Sequence, residues 1–201
     1  MPTGKLADGF WTPLSSGSNR NVFLSALYYA EDSCIFVGYR EGDGDGYIYR
    51  TEDFGITWLS TKFKFITLTD IAEVVVDSTQ YFFVSSENGM ILRITESKLA
   101  TCDGILTPIN GVNVGMTVSC WDRIGNLGNL FETEFAYAFN GIAVGTNGAA
   151  VIAGVYFGGN SQSMVAYSIA DAVGASADAT WTDSSPSLPT DQNKVCDFNG
   201  D

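Results

Sequence analysis

Apolar residues in this chain come in short runs of strand length, separated by turns rich in Gly, Asp, Asn and Ser, and the order of the runs repeats. Residues 26–38 hold two apolar runs split by the turn Glu31-Asp32-Ser33, followed by a Gly/Asp-rich turn and a third run at 46–51. The same order returns at 72–84, with a turn at 85–88 and a third run at 89–95. It returns once more at 141–154, with a longer loop and a third run at 163–169. Polar hairpin turns between runs of alternating character predict adjacent antiparallel strands in a meander.

A fourth run closes each unit: 57–61 in the first, the weaker 105–109 in the second and 180–183 in the third. Repeated four-stranded units predict an all-β fold, a β-propeller of four-stranded antiparallel blades. The blades fall at about 20–61, 66–110 and 132–184, in a single domain or part of one covering 1–201. Phe10-Trp11-Thr12-Pro13-Leu14 resembles an outer fourth strand, and 193–201 resembles the inner strand that starts a further blade. A closed ring needs roughly four to eight blades, so this count implies a truncated chain or a ring completed by partners. The stretch 111–134 reads as an insertion loop on one face.

Thr51-Glu52-Asp53-Phe54-Gly55-Ile56-Thr57-Trp58 fits the pattern Ser/Thr-x-Asp-x-Gly-x-Thr-Trp at all of its defining positions. In this it resembles the Asp-box, or BNR, repeats of β-propeller proteins, most closely the repeat proteins of phage tails and bacterial surfaces. The resemblance implies a hairpin between the third and fourth strands in which Thr51, Asp53, Gly55, Thr57 and Trp58 are structural. Asp53 then caps backbone N–H groups, Gly55 takes a positive φ and Trp58 packs between blades. A carboxylate accepts several N–H bonds at once, and Gly alone bends left-handed without steric cost. The third unit keeps Ser168, Asp171 and Thr180-Trp181 at altered spacing, and the second keeps only Thr95.

Charge and composition narrow the chemistry. Ten basic residues against 23 acidic ones give a net charge of −13, which repels phosphate backbones and argues against nucleic acid as a partner. The sequence contains no His, which removes the commonest general base, the usual zinc ligand and every Ser-His or Cys-His nucleophile pair. The first residues lack the apolar core of a signal peptide, and no stretch approaches the roughly 18 apolar residues of a membrane span, so no membrane insertion is expected. Cys34, Cys102, Cys120 and Cys196 form no CxxC pair; buried free thiols are the expected state, with a Cys102 to Cys120 disulfide as the alternative.

Three groups of residues bear on function. Asp43 and Asp45, within Glu41-Gly42-Asp43-Gly44-Asp45-Gly46, have the alternate spacing of oxygen ligands for Ca²⁺, although the repeat also demands a plain hairpin turn there. Trp121, Arg123, Asn126 and Asn129 combine an aromatic with charged and amide side chains, as sugar-binding surfaces do; a packed Trp is the competing reading. The five arginines, Arg20, Arg40, Arg50, Arg93 and Arg123, do not make the cluster a sialidase needs, and Arg50 and Arg93 hold equivalent repeat positions. No catalytic residue is assigned. The resulting expectation is a non-catalytic structural or adhesion propeller on a virion or extracellular surface. It would assemble with other virion or surface proteins, in an oligomeric array, and bind cell-surface glycan. The alternatives are a fragment of an Asp-box glycosidase and an assembly or scaffold factor.

Overall fold

The computed structural model describes residues 21–30, 33–40, 45–53, 55–63, 66–101, 104–109, 112–117, 120–126, 136–158, 161–176 and 179–184. The two terminal stretches compared above with partial blades, 10–14 and 193–201, lie outside the described residues.

The described chain is all-β with one short helix. The first meander runs through β1 (Asn21–Ala30), β2 (Ser33–Arg40), β3 (Gly46–Thr51) and β4 (Thr57–Phe63), each strand antiparallel to the next. The second runs through β5 (Leu68–Val76), β6 (Thr79–Ser86) and β7 (Met90–Thr95). Thr95 then caps a short helix α1 (Glu96–Ala100), its hydroxyl accepting from the Lys98 N–H. A hairpin of β8 (Gly104–Ile109) and β9 (Val112–Thr117) follows, and β10 (Asp122–Asn126) returns to pair antiparallel with β7. The third meander is β11 (Ala136–Val144), β12 (Ala150–Gly158), β13 (Ser161–Ile169) and β14 (Thr182–Asp183). Three four-stranded antiparallel units result, and β9 adds the β8–β9 hairpin to the first by pairing parallel with β4.

The second unit departs from the sequence reading. Residues 105–109 do not close it; they belong to β8, the outermost strand of the enlarged first sheet, and the closing strand is β10. Pro108 is one reason, since a residue without an N–H suits an edge strand better than a ladder bonded on both sides. The other is Trp121, whose indole fills the interface with the first unit just ahead of β10.

Turn chemistry sets the register. Asp77 and Ser78 both have positive φ, 48° and 64°, which gives the two-residue hairpin whose twist matches its strands. Each first strand carries an irregularity, and the residue after it is Ser25, Asp70 or Gly141, paired with Val37, Ser85 and Ala153 respectively. Those three residues therefore occupy one structural position.

The units stack face to face. Alternation in β2 and β3 sends Ile35, Val37 and Ile48 toward the second unit, where they join Leu68, Phe82, Val84, Leu92 and Trp121. Phe83, Ile91 and Ile124 point the other way and meet Phe139, Ile152, Val165, Tyr167 and Trp181 of the third. Both β1 and β11 pack against β5, so the first strands of the three units converge.

Candidate functional site

The 51–58 turn is built by local hydrogen bonds around two side chains. The Thr51 hydroxyl accepts from the Gly55 N–H at 2.8 Å and donates to Asp53 Oδ1 at 2.9 Å. Asp53 accepts the Thr57 N–H on Oδ1 at 2.8 Å and the Thr57 hydroxyl on Oδ2 at 2.6 Å. Gly55 sits at φ 83°, and the Trp58 indole N–H donates back to its carbonyl at 3.0 Å. A Cβ at Gly55 would stand 3.3 Å from the Trp58 ring, so glycine answers both the backbone angle and the close approach. The indole lies on one face of the first sheet with Phe36, whose ring is 5.5 Å away, and with Tyr47 and Tyr49. Thr51, Asp53, Gly55, Thr57 and Trp58 are thus brought together in one turn.

Burial of the Asp53 carboxyl pushes its pKa up, but the hydrogen bonds from Thr57, Thr51 and Ile56 outweigh that and hold it below the ordinary value of 3.8. A depressed folded-state pKa means stability that is present above the unfolded value and is lost as pH falls through the folded one. Asp53→Asn is therefore expected to remove about 1–2 kcal/mol at neutral pH, by loss of charge-assisted capping bonds. The deficit should shrink as pH falls below about 4 and through the depressed folded-state value, where the wild-type carboxyl becomes neutral like the amide. Urea unfolding of both proteins between pH 2.5 and 7 measures this; a deficit constant over that range would refute it.

A second arrangement involves residues that the sequence did not single out. Asp70, on β5, accepts the Ser25 hydroxyl of β1 on Oδ1 at 2.7 Å and the Ile142 N–H of β11 on Oδ2 at 3.0 Å. One carboxylate therefore ties the first strands of all three units. Its partners lie 45 and 72 residues away, and no local motif announces such a pairing.

The equivalent arginines also join units. Arg50 donates to the Leu99 carbonyl and, at 3.0 Å, to Glu52; Arg93 donates to the Ala172 carbonyl at 2.9 Å and to that of Val173. Each guanidinium reaches from a third strand to the connection after the third strand of the next unit. By register, Ser168 stands where the third unit would carry its arginine.

The residues considered for ligands are dispersed. Trp121 is 7% exposed and packed in the core between the first and second units, so its ring offers no stacking surface to a sugar. Arg123 is exposed on β10, Asn126 ends that strand, and Asn129 lies outside the described residues. Asp45 is buried and ion-paired with Lys62, whose ammonium also lies 5.7 Å from the centre of the Tyr47 ring; Asp43 lies outside the described residues. Among the described residues no group of three or more His, Cys, Asp or Glu is placed to hold a metal, and no buried side-chain polar atom lacks a hydrogen-bond partner. No family model matches the chain, and no curated protein matches it. Cys34 is a free thiol, its pKa pushed up by burial, whereas Cys120 is disulfide-bonded rather than the free thiol expected by default, a disulfide at Cys120 being the alternative reading. Cys102 and Cys196 lie outside the described residues.

Proposed function

We propose that the chain is a non-catalytic Asp-box β-propeller, acting as a structural or adhesion module of a phage virion or bacterial surface. It works among other virion or surface proteins in an oligomeric assembly and presents its rim to cell-surface glycan. The observation that carries this reading is where the reactive side chains are engaged. Asp53 caps a turn, Asp70 ties three first strands, and Arg50 and Arg93 bond to carbonyls of the neighbouring unit. Such bonding supports a stiff scaffold, in which repeated units rely on their neighbours for a buried face. The convergence of β1, β5 and β11 supports the propeller, whose blades meet through their first strands. A net charge of −13 suits a module that stays soluble at high local density.

Two measurements test the reading. Antibody labelling of producing cells and of purified particles is expected to place the protein on the virion or the outer surface, and a glycan array is expected to show binding without product release. Turnover of a fluorogenic sialoside, abolished by Arg123→Ala, would overturn it in favour of a glycosidase. Labelling confined to the cytoplasm and absent from particles would favour an assembly factor instead.

A further inference from the structure

The first strands of the three units carry the same irregularity, and in two of them the N–H just past it points at one place. Ile71 follows Asp70 on β5 and Ile142 follows Gly141 on β11, so these two N–H groups are equivalent in the repeat. The Ile71 N–H donates to Asp70 Oδ1 at 2.8 Å, and the Ile142 N–H donates to Oδ2 at 3.0 Å. The third donor is the hydroxyl of Ser25, which holds the equivalent position on β1 and lies 2.7 Å from Oδ1.

Three uncharged donors from three strands thus surround one flat anion and engage both of its oxygens. Hydrogen bonds to an ionised acceptor are stronger than neutral ones, and a concave set of such donors binds an anion by its charge and shape. Whether that anion is tethered to the chain is secondary. The donors keep their places without the Asp70 side chain, because strand pairing sets them: Ser25 opposite Val37, Ile71 opposite Val84 and Ile142 opposite Ile152. Without a carboxylate they would face one another with no acceptor at a half-buried point, a costly state. There is also room for a replacement. Asp70 and Ser25 are only half-buried, and Gly141 puts no side chain beside Oδ2, where even a Cβ would stand 3.6 Å away.

We infer that the meeting point of β1, β5 and β11 is a carboxylate-binding site, formed by the Ser25 hydroxyl and the N–H groups of Ile71 and Ile142, which Asp70 fills from within the chain. Its ligand class is the small monocarboxylate, which the Asp70 side chain imitates. A halide has a single centre and cannot occupy both oxygen positions. The chain supplies its own ligand, and a free carboxylate enters where Asp70 is withdrawn. The inference goes beyond the proposed surface role and does not depend on where the protein acts.

Chemical rescue in the full chain tests it. The urea midpoint of Asp70→Ala is followed at neutral pH in rising sodium formate and, separately, in sodium chloride at matched concentrations. An ion that binds the folded state alone raises the midpoint as its site fills. Formate is expected to restore about half or more of the midpoint lost in Asp70→Ala, well beyond the effect of chloride, and to affect wild type no more than chloride does. Adding Ser25→Ala to Asp70→Ala should raise the half-saturating formate concentration about three- to tenfold, the effect of one missing bond. Equal responses of Asp70→Ala to formate and chloride would overturn the proposal, as would an equal formate response in wild type. Should Asp70→Ala fail to fold, Asp70→Ser, which keeps an acceptor beside the Ile71 N–H, goes through the same comparison and is judged by the same outcomes.

Discussion

Replacing Trp181 by alanine is expected to destabilise the protein by about 3–5 kcal/mol, the usual cost of removing a buried large aromatic side chain. The ring is 5% exposed and sits in the shared core of the second and third units with Ile91, Ile124, Phe139, Ile152 and Tyr167. β14 has only two residues, paired with Tyr167 and Ser168, so the indole supplies much of what fastens that closing strand. Little else is available to refill the space, because Gly125 lies directly beneath the ring. Trp181→Phe should recover most of the loss, leaving about 1 kcal/mol for the missing bond to the Ile124 carbonyl. Gly125→Val, which drives side-chain atoms into the indole, should approach the alanine variant from the opposite direction, by overpacking rather than by a cavity. Equilibrium urea unfolding measures all three. A loss below about 1 kcal/mol for Trp181→Ala would show that the interface between the units contributes little to stability.

What could be read from the sequence divides along the range of the interactions. The 51–58 turn was legible because its bonds connect residues at most four apart, so spacing and residue type carry the whole geometry. The three-strand meanders were legible for the same reason, since short polar turns join strands that pair with their neighbours. The closing strand of the second unit was not. Between β7 and β10 the chain makes α1 and a complete hairpin, and β8 has the apolar composition of a closing strand while pairing elsewhere. The tryptophan spacing was the available signal: Trp121 opens β10 as Trp58 and Trp181 accompany β4 and β14. Reading it as a member of the tryptophan series would have placed both the strand and the buried indole. Trp121 as a sugar platform failed because an aromatic residue in a Gly/Asn-rich stretch looks exposed until its strand is paired. The arginine positions were informative as equivalent places in the repeat, but that both bond to the next unit was visible only in the structure.

Asp70 lay beyond any such reading, and its replacement by alanine is expected to cost about 2–4 kcal/mol. Three donors lose their acceptor together: the Ser25 hydroxyl, the Ile142 N–H and the N–H of Ile71, bonded at 2.8 Å. A donor left unsatisfied away from water costs about 1–3 kcal/mol, and partial access of solvent at this half-buried site reduces the total below a simple sum. The three partners separate the contributions. Ser25→Ala removes one donor and leaves the bonds to Ile142 and Ile71 intact, so it should cost no more than about 1 kcal/mol. Asp70→Asn keeps a single carbonyl oxygen and must turn its NH₂ toward one of the former donors, so it should fall between the two. Gly141 holds the equivalent position on β11, and a Cβ built there would stand 3.6 Å from Asp70 Oδ2, ordinary contact. Gly141→Ala should therefore be tolerated as far as packing against the carboxylate is concerned. The decisive measurement is a double-mutant cycle between Ser25→Ala and Asp70→Ala. A coupling of about 0.5 kcal/mol or more shows that the carboxylate joins the first and second units, whereas additivity would mean that the bond across β1 and β5 contributes nothing to holding the first strands together.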